Sequence, residues 1–207
     1  MKKTKHFKLD ANTIKYYRSC GILDKWHTLT LDNFVNDDRA KKIVEGYIDD
    51  IKEAKKDGTG IYLYSEVNGC GKSLILNSVF KQLIEMRYTV HVVSMPTLIT
   101  LYTQGWSDVE QRKSLMRIMQ KVDFLAIEEL GKGGKTDLAN LVIESVVRWR
   151  VQMKKPIWVT TNMKPSNVAN IYSEDVASML NEACLILHVK GDDYRPKIQE
   201  QIKTKYK

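Results

Sequence analysis

The sequence predicts an α/β fold built on a parallel five-stranded sheet with helices on both faces. Short apolar runs of strand length alternate along the chain with longer segments whose apolar residues recur at helical spacing. Hydrophobic residues make up 43% and charged residues 28% of the chain, which is the composition of a globular domain. Strands that alternate with helices favour a parallel sheet covered on both faces, and such sheets bind ligands beyond the carboxyl ends of their strands.

Five apolar runs and three longer patterns define the predicted elements. Strands are expected at Ile61–Tyr64, Thr89–Met95, Phe124–Ile127, Pro156–Thr161 and Cys184–Val189. Helices are expected from near Arg39 to Asp57, over Leu74–Arg87 and over Leu138–Met153. Polar N-cap candidates precede the first helix, and the last carries an apolar stripe made of Leu138, Leu141, Val142, Val146 and Trp149.

The charge balance and the cysteines narrow the function classes. Lysine and arginine outnumber aspartate and glutamate by 33 to 25, and the resulting net charge of +8 favours a polyanionic partner. Cys20, Cys70 and Cys184 are far apart and form no CxxC pair, which argues against a disulfide framework and a cysteine zinc site. No apolar run approaches the ~20 residues that span a bilayer. We therefore expect a cytoplasmic protein without membrane contact.

A glycine-rich loop joins the first predicted strand to the helix that follows it. The segment reads Glu66-Val67-Asn68-Gly69-Cys70-Gly71-Lys72-Ser73-Leu74. Its glycines let successive N–H groups face phosphate oxygens, and the helix N-terminus adds positive potential. Lys72 is then placed to reach the β- and γ-phosphates of ATP, and the Ser73 hydroxyl to bind Mg²⁺. The pattern is a Walker A loop with Glu66 in place of the usual first glycine; an accidental glycine-rich turn is the alternative.

Polar residues end two of the other predicted strands. Glu128 and Glu129 follow Phe124–Ile127, so they are expected at the carboxyl edge of the sheet, facing the glycine loop. We interpret Glu128 as a ligand of Mg²⁺ and Glu129 as the group that orients and activates the attacking water. Asn162 ends the fourth strand, where its amide can bond that water or the γ-phosphate. The alternatives are a solvated pair of acids and a plain turn-forming asparagine.

With these motifs in order, residues 21–195 resemble the AAA+ ATPase domain of DnaC/DnaI-type replicative helicase loaders and their IstB-like transposition relatives. The resemblance lies in the Walker A loop and in Gly21-Ile22-Leu23, Thr30-Leu31-Asp32-Asn33-Phe34, Ile127-Glu128-Glu129-Leu130-Gly131, Arg150, Thr160-Thr161-Asn162 and Gly191-Asp192-Asp193-Tyr194-Arg195. It implies a P-loop NTPase (AAA+) fold with ATP and Mg²⁺ as cofactors. It also implies that Arg195 is a sensor-2 arginine that contacts the γ-phosphate, which joins Lys72, Glu129 and Asn162 as candidate catalytic residues.

The sequence departs from that family at two points. Loaders carry an arginine finger just before the last strand, and Met179 stands at that position here. Because such a finger supplies ~10³–10⁵ in rate, we expect slow hydrolysis unless Arg148 or Arg150 substitutes for it. Loaders also place a helicase-binding domain ahead of the ATPase domain, whereas this sequence suggests a basic arm (1–38), the AAA+ domain (39–195) and a basic tail (196–207). This organisation favours a short version encoded by a phage or mobile element.

A basic helical segment between the two Walker elements is the candidate DNA-binding region. Lys113, Arg117 and Lys121 recur every four residues, while Leu115, Ile118, Met119 and Val122 take the other face. In loaders the corresponding segment contacts single-stranded DNA. A basic row can follow phosphates, and Tyr102 or Trp106 can stack on bases. An ordinary amphipathic helix with solvated lysines is the alternative.

Two functional hypotheses from different classes follow. The first is an ATP-binding, weakly hydrolysing AAA+ protein that loads a replicative DNA helicase or acts on single-stranded DNA, as a homo- or hetero-oligomer. The second is a catalytically weak or inert AAA+ module that recruits or antagonises a host helicase loader, or an IstB-like transposition helper. Steady-state ATPase activity that depends on Glu129 would distinguish the enzyme from the module.

Overall fold

The structure has all five predicted strands in one parallel sheet. It is a computed structural model that describes residues 9–132 and 134–206. The strands are β1 (Gly60–Tyr64), β2 (Val90–Ser94), β3 (Phe124–Leu130), β4 (Ile157–Thr161) and β5 (Cys184–His188). Their order across the sheet is β2-β3-β4-β1-β5. Because all pairings are parallel, the segments that follow β1, β3 and β4 emerge at the same edge, which is where the candidate site was predicted.

Ten α-helices are found in the described part of the chain. They are α1 (Ala11–Ser19), α2 (Asp38–Asp49), α3 (Ile51–Asp57), α4 (Lys72–Glu85), α5 (Met95–Gln104), α6 (Val109–Met116), α7 (Asp137–Gln152), α8 (Val168–Ile171), α9 (Glu174–Ala183) and α10 (Arg195–Lys205). The helix predicted from Arg39 to Asp57 is two helices, since the backbone at Asp50 leaves helical geometry. None of the described helices combines the length and apolar character needed to cross a membrane.

Apolar side chains cover both faces of the sheet, as expected for a parallel α/β fold. Along β1, Ile61 and Leu63 belong to the cluster packed by α2 and α4, whereas Tyr62 belongs to the cluster packed by α5, α7 and α9. The alternation follows from the two-residue period of a strand. It places α4, and with it the glycine loop, on the first of these faces.

The apolar stripe predicted for α7 is partly wrong. Leu141 is 50% exposed, whereas the buried face consists of Ala139, Val142, Ile143, Val146, Val147 and Arg150. The buried stripe includes Arg150 because its guanidinium finds backbone acceptors at the amino ends of β3 and β4. A polar residue can therefore occupy a core position that the apolar pattern alone assigns to solvent.

The segment predicted as an N-terminal arm is packed into the core from α1 onward. Tyr17, Cys20, Ile22, Leu31 and Phe34 are all buried there. The Val92 amide donates to the Cys20 carbonyl (2.8 Å), so the arm covers the outer edge of β2. Residue 38 is therefore the start of a helix and not the start of the packed domain.

The basic tails are described only in part. Residues 196–205 of the predicted tail belong to α10 (Arg195–Lys205), which buries none of its residues. Five lysines of the predicted basic arm and tail lie outside the described residues, namely Lys2, Lys3, Lys5, Lys8 and Lys207.

Candidate nucleotide-binding site

The loop between β1 and α4 needs glycine at two points. Gly69 and Gly71 have φ angles of 70° and 112°, in the left-handed region that favours glycine. A Cβ added to Gly71 would lie 2.6 Å from the Phe34 ring, and one added to Gly69 would lie 1.8 Å from a carboxylate oxygen of Asp193. The loop is thus enclosed by Phe34 on one side and by the segment before α10 on the other.

The backbone amides of this loop are unpaired donors. Within residues 9–132 and 134–206, no hydrogen bond from the amide groups of residues 68–73 is found, although neighbouring amides such as Val67 and Ile75 are bonded. Backbone amides in enclosed positions are nearly always paired. A row of free donors at the N-terminus of a 14-residue helix suits an anion with several oxygens, such as a phosphate chain.

The Lys72 ammonium lies inside the loop. Its Nζ donates to the carbonyl oxygens of Ser65 (3.3 Å) and Val67 (3.2 Å). Burial lowers the pKa of Lys72 from its ordinary value; the neighbouring Cys70 opposes this shift, and the positive charge of Arg195 adds to it. An anion that binds the loop amides would therefore have two cations nearby, Lys72 and Arg195.

Glu128 and Ser73 place two side-chain oxygens beside the loop. The β2–β3 register sets Glu128 opposite Ser94, at the carboxyl edge of the sheet. Burial raises the pKa of Glu128 above its ordinary value, as does the charge of Glu129, while hydrogen bonds from Ser73 and Asn77 oppose the shift. The Asn77 amide also donates to the Ser73 carbonyl (2.8 Å). A hydroxyl and a carboxylate are hard oxygen ligands that fit Mg²⁺ shared with a nucleotide.

No larger ligand cluster accompanies this pair. Among the described residues, no group of three or more histidine, cysteine, aspartate and glutamate side chains is placed to hold a metal ion by itself. Mg²⁺ commonly takes one or two protein ligands and completes its shell with water and phosphate oxygens. The oxygens of Ser73 and Glu128 therefore fit a metal that arrives with a triphosphate.

Glu129 lies on a bulge of β3 and is paired with a lysine. The register of β3 against β4 shifts between Ile127 and Leu130, and Glu129 has a φ of 60°, a strained value for a non-glycine residue. Its amide donates to the Thr160 hydroxyl (3.2 Å), which fixes the backbone. Its carboxylate lies 2.6 Å from the Lys132 ammonium. To orient a water molecule, the Glu129 carboxylate must either break its ion pair with Lys132 or contact Lys132 and the water at the same time.

The segment that follows β4 contacts the glycine loop directly. The Asn162 amide donates to the Asn68 side-chain oxygen (2.8 Å), so the two candidate residues meet in the structure. Lys164 lies 3.2 Å from the Glu66 carboxylate. Both contacts join the same two segments, residues 66–68 and 162–164.

Arg195 begins α10 next to the loop. The Tyr194 amide donates to the Gly69 carbonyl (3.2 Å), and the Asp193 carboxylate accepts from the Arg195 amide (3.0 Å). The Arg195 side chain is exposed, and its charge acts on Lys72. Five predicted site residues thus meet at one edge of the sheet: Lys72, Ser73, Glu128, Asn162 and Arg195. Glu129 lies at the same edge, but its carboxylate is paired with Lys132.

The arginine-finger position holds no free arginine. Met179 is half-buried and packs against the core. Arg148 is held by Glu144 (2.7 Å) and by Asp175 (3.0 Å), one helical turn before Met179. Arg150 is fully buried and bonded to backbone carbonyls, so its suggested role as a substitute finger is wrong: no second molecule can reach it.

Sequence reasoning missed several residues around the loop. Of the N-cap candidates Asn36, Asp37 and Asp38, Asp37 caps α2, whereas the Asn36 amide donates to the carbonyls of Cys70 (3.0 Å) and Asp192 (3.1 Å). Asn77 is buried in α4, and its side-chain amide donates to the Glu128 carboxylate (3.5 Å). An asparagine four residues after Ser73 is a signal that the sequence offered. No such signal pointed to Lys164, because only the register between β1 and β4 brings it close to Glu66.

The candidate DNA-binding residues lie on one exposed segment, with a break in the helix. Trp106 is 66% exposed, its ring edge-on to Tyr102 at 6.2 Å between centroids. Lys113, Arg117 and Lys121 are exposed, and Leu115, Ile118, Met119 and Val122 are buried as predicted. The single helix that was expected becomes π-helical at Arg117–Lys121, so the basic row does not run straight. Lys113 is also paired with Glu110 (2.7 Å).

Comparisons with known proteins identify the fold of this chain through solved structures. The sequence matches no protein-family model, and no curated protein sequence matches it either. A solved DnaC helicase loader superposes with a TM-score of 0.71 at 17% identity, over 81% of this chain and 100% of that one. A DnaI structure gives 0.69 at 19% identity, over 78% and 91% of the two chains.

A third solved structure carries bound ligands. The replication initiator DnaA bound to AMPPCP and single-stranded DNA gives a TM-score of 0.68 at 15% identity, over 88% of this chain and 56% of that one. The present chain thus spans about half the length of that initiator. The predicted fold class is confirmed: the chain has the AAA+ P-loop fold that DnaC, DnaI and DnaA structures share.

Proposed function

We propose that this protein binds ATP with Mg²⁺ in the loop at residues 65–73 and acts in the initiation of DNA replication. The observation that carries the nucleotide half is the row of unpaired amides at residues 68–73, with the Lys72 ammonium inside it and the Glu128–Ser73 oxygens beside it. The fold shared with helicase loaders and a replication initiator supports the replication half.

Each residue at the edge has a separate task in this proposal. The amides and Lys72 bind the phosphates, and Ser73 and Glu128 hold Mg²⁺, which neutralises charge on the phosphates. Asn162 and Glu129 orient the attacking water, and Glu129 accepts its proton. Arg195 contacts the γ-phosphate from the start of α10.

We further propose that hydrolysis is slow. The Glu129 carboxylate is paired with Lys132, and the finger position is occupied by Met179. Both features reduce the stabilisation of the reacting phosphate, since a general base and an arginine finger contribute separately to the rate. ATP binding, and not rapid turnover, is then the signal that the protein gives to its partners.

The rate of ATP hydrolysis tests this view. We expect a low but measurable steady-state rate with Mg²⁺, which Glu129→Gln lowers by about 10²-fold or more. Lys132→Gln is the matched control, because it removes the pair without removing the base, and it should not lower the rate. A wild-type rate equal to background would favour the second candidate function. That candidate is an inert AAA+ module that recruits or antagonises a host helicase loader, or serves as a transposition helper.

The proposed macromolecular partners are single-stranded DNA and a replicative helicase or its loader. The DNA half rests on the exposed Trp106 ring beside three exposed cations, Lys113, Arg117 and Lys121. An aromatic ring can stack on a base while cations follow the backbone. The net charge of +8 supports the same partner.

DNA binding is measured with a labelled oligonucleotide at several salt concentrations. Affinity should fall steeply with salt, and Trp106→Ala should weaken it by about tenfold, the loss of one stacked base. The triple variant K113Q/R117Q/K121Q should flatten the salt dependence. The control variant K42Q/K52Q/K56Q lowers the net charge by the same amount as the first triple variant, but on α2 and α3. If both triple variants lost the same affinity for DNA, the net charge alone would explain the binding. That result would contradict the assignment of DNA binding to this surface.

A further inference from the structure

An acid and a lysine join the phosphate loop to the segment after β4. Glu66 stands where a Walker A loop has its first glycine, and its carboxylate lies 3.2 Å from the Lys164 ammonium. Both side chains are about half-exposed or more, at 60% and 51%. An exposed pair of this kind contributes little to folding stability, so its presence calls for another explanation.

The parallel register of the sheet brings the two residues together. Tyr64 pairs with Thr161, and the Ser65 amide continues the ladder by donating to the Thr161 carbonyl (3.3 Å). Glu66 and Lys164 are the next charged residues after these ladder positions. The same two segments meet again at the Asn162–Asn68 hydrogen bond (2.8 Å). The pair therefore lies beside a contact between the phosphate loop and the candidate water-orienting residue.

The charge of Glu66 is a problem for a loop that receives a polyanion. An unpaired carboxylate beside a bound phosphate chain, in partly screened surroundings, weakens binding by about three- to tenfold. The Lys164 ammonium neutralises the Glu66 carboxylate directly. Because Lys164 follows β4, it does so without placing a second cation in the loop itself.

We propose that Lys164 is a positioning residue of the nucleotide site that acts through Glu66: it neutralises the carboxylate that this loop carries beside the bound phosphates. This inference rests on the proposed function. It accounts for Glu66, the one residue at which the loop departs from the Walker A pattern. It also implies that Lys164 affects phosphate binding only when residue 66 is a glutamate.

The test compares four proteins in equilibrium binding of a fluorescent, non-hydrolysable ATP analogue with Mg²⁺: wild type, Lys164→Gln, Glu66→Gln and the double variant. Lys164→Gln should weaken binding by about three- to tenfold, because it leaves Glu66 unpaired. The loss should shrink at about 0.5 M salt. Glu66→Gln should not weaken binding, and the double variant should match it. Lys164→Arg should retain wild-type affinity.

Two outcomes overturn the inference. If Lys164→Gln weakens binding equally with glutamate or glutamine at position 66, Lys164 acts directly on the phosphates; if it has no effect, the pair is incidental. Thermal unfolding without nucleotide is the structural control and should differ by less than about 2 °C among the four proteins. Lys72→Met separates the two proposals: a variant that binds as tightly as wild type refutes the proposed function itself, and with it this inference.

Discussion

Replacing Lys72 by methionine is expected to abolish ATP binding. The Lys72 ammonium is the only side-chain cation of the described residues that lies inside the loop, bonded to the carbonyls of Ser65 and Val67. Two charge-assisted hydrogen bonds to phosphate contribute about 3–4 kcal/mol together, so the affinity should fall by about 10²–10³-fold. Titration of the fluorescent analogue measures this directly.

Lys56→Met is the matched control for this loss. It removes the same charge from α3, next to the amino end of β1 and so at the opposite edge of the sheet. Its affinity should stay within about twofold of wild type, because the distant charge is screened. The free Lys72→Met protein should unfold at the wild-type urea concentration, since its two loop bonds are long. If Lys72→Met bound the ATP analogue with wild-type affinity, the assignment of this loop as the nucleotide site would be refuted.

Replacing Arg150 by methionine is expected to destabilise the fold severely. Its guanidinium is fully buried and donates to the carbonyls of Met119 (3.0 Å), Val122 (3.3 Å), Asp123 (2.7 Å) and Pro156 (2.8 Å). These bonds tie the end of the π-helical turn to the amino ends of β3 and β4. Methionine would leave the carbonyls buried without donors, at a cost of about 3–5 kcal/mol.

Urea unfolding measures this cost, and Arg148→Met provides the control. Arg148 lies on the same helix but is 44% exposed and paired with Glu144 and Asp175, so its loss should cost about 1 kcal/mol or less. The melting temperature of Arg150→Met should drop by about 10 °C. A drop equal to that of Arg148→Met would contradict the structural role assigned to Arg150.

The strands and the loop were predictable because their signals are local. An apolar run of four to seven residues predicts a strand because such a run is buried on a sheet, and a Gly-x-Gly-Lys-Ser sequence predicts a phosphate loop because it leaves space for a phosphate. The positions of Glu128 and Asn162 followed from strand direction alone. All parallel strands end at one edge, whatever their order across the sheet.

The contacts among distant segments could not be predicted. Lys164 meets Glu66 because β1 and β4 are neighbours, and strand order is not written in any single segment. Arg150 was considered as a substitute arginine finger because an apolar pattern cannot indicate a buried guanidinium with backbone acceptors. The bulge at Glu129 and its pairing with Lys132 also depend on the neighbouring strand, through Thr160.

The central claim is that the amides of residues 68–73 bind a triphosphate, and amide hydrogen exchange with and without a non-hydrolysable ATP analogue and Mg²⁺ tests it most directly. We expect exchange of these amides to slow by at least about tenfold on binding, because free donors gain phosphate acceptors. Amides of α3, at the opposite edge of the sheet, should be unchanged. Saturating nucleotide that leaves residues 68–73 exchanging at the rate of the free protein would contradict the account.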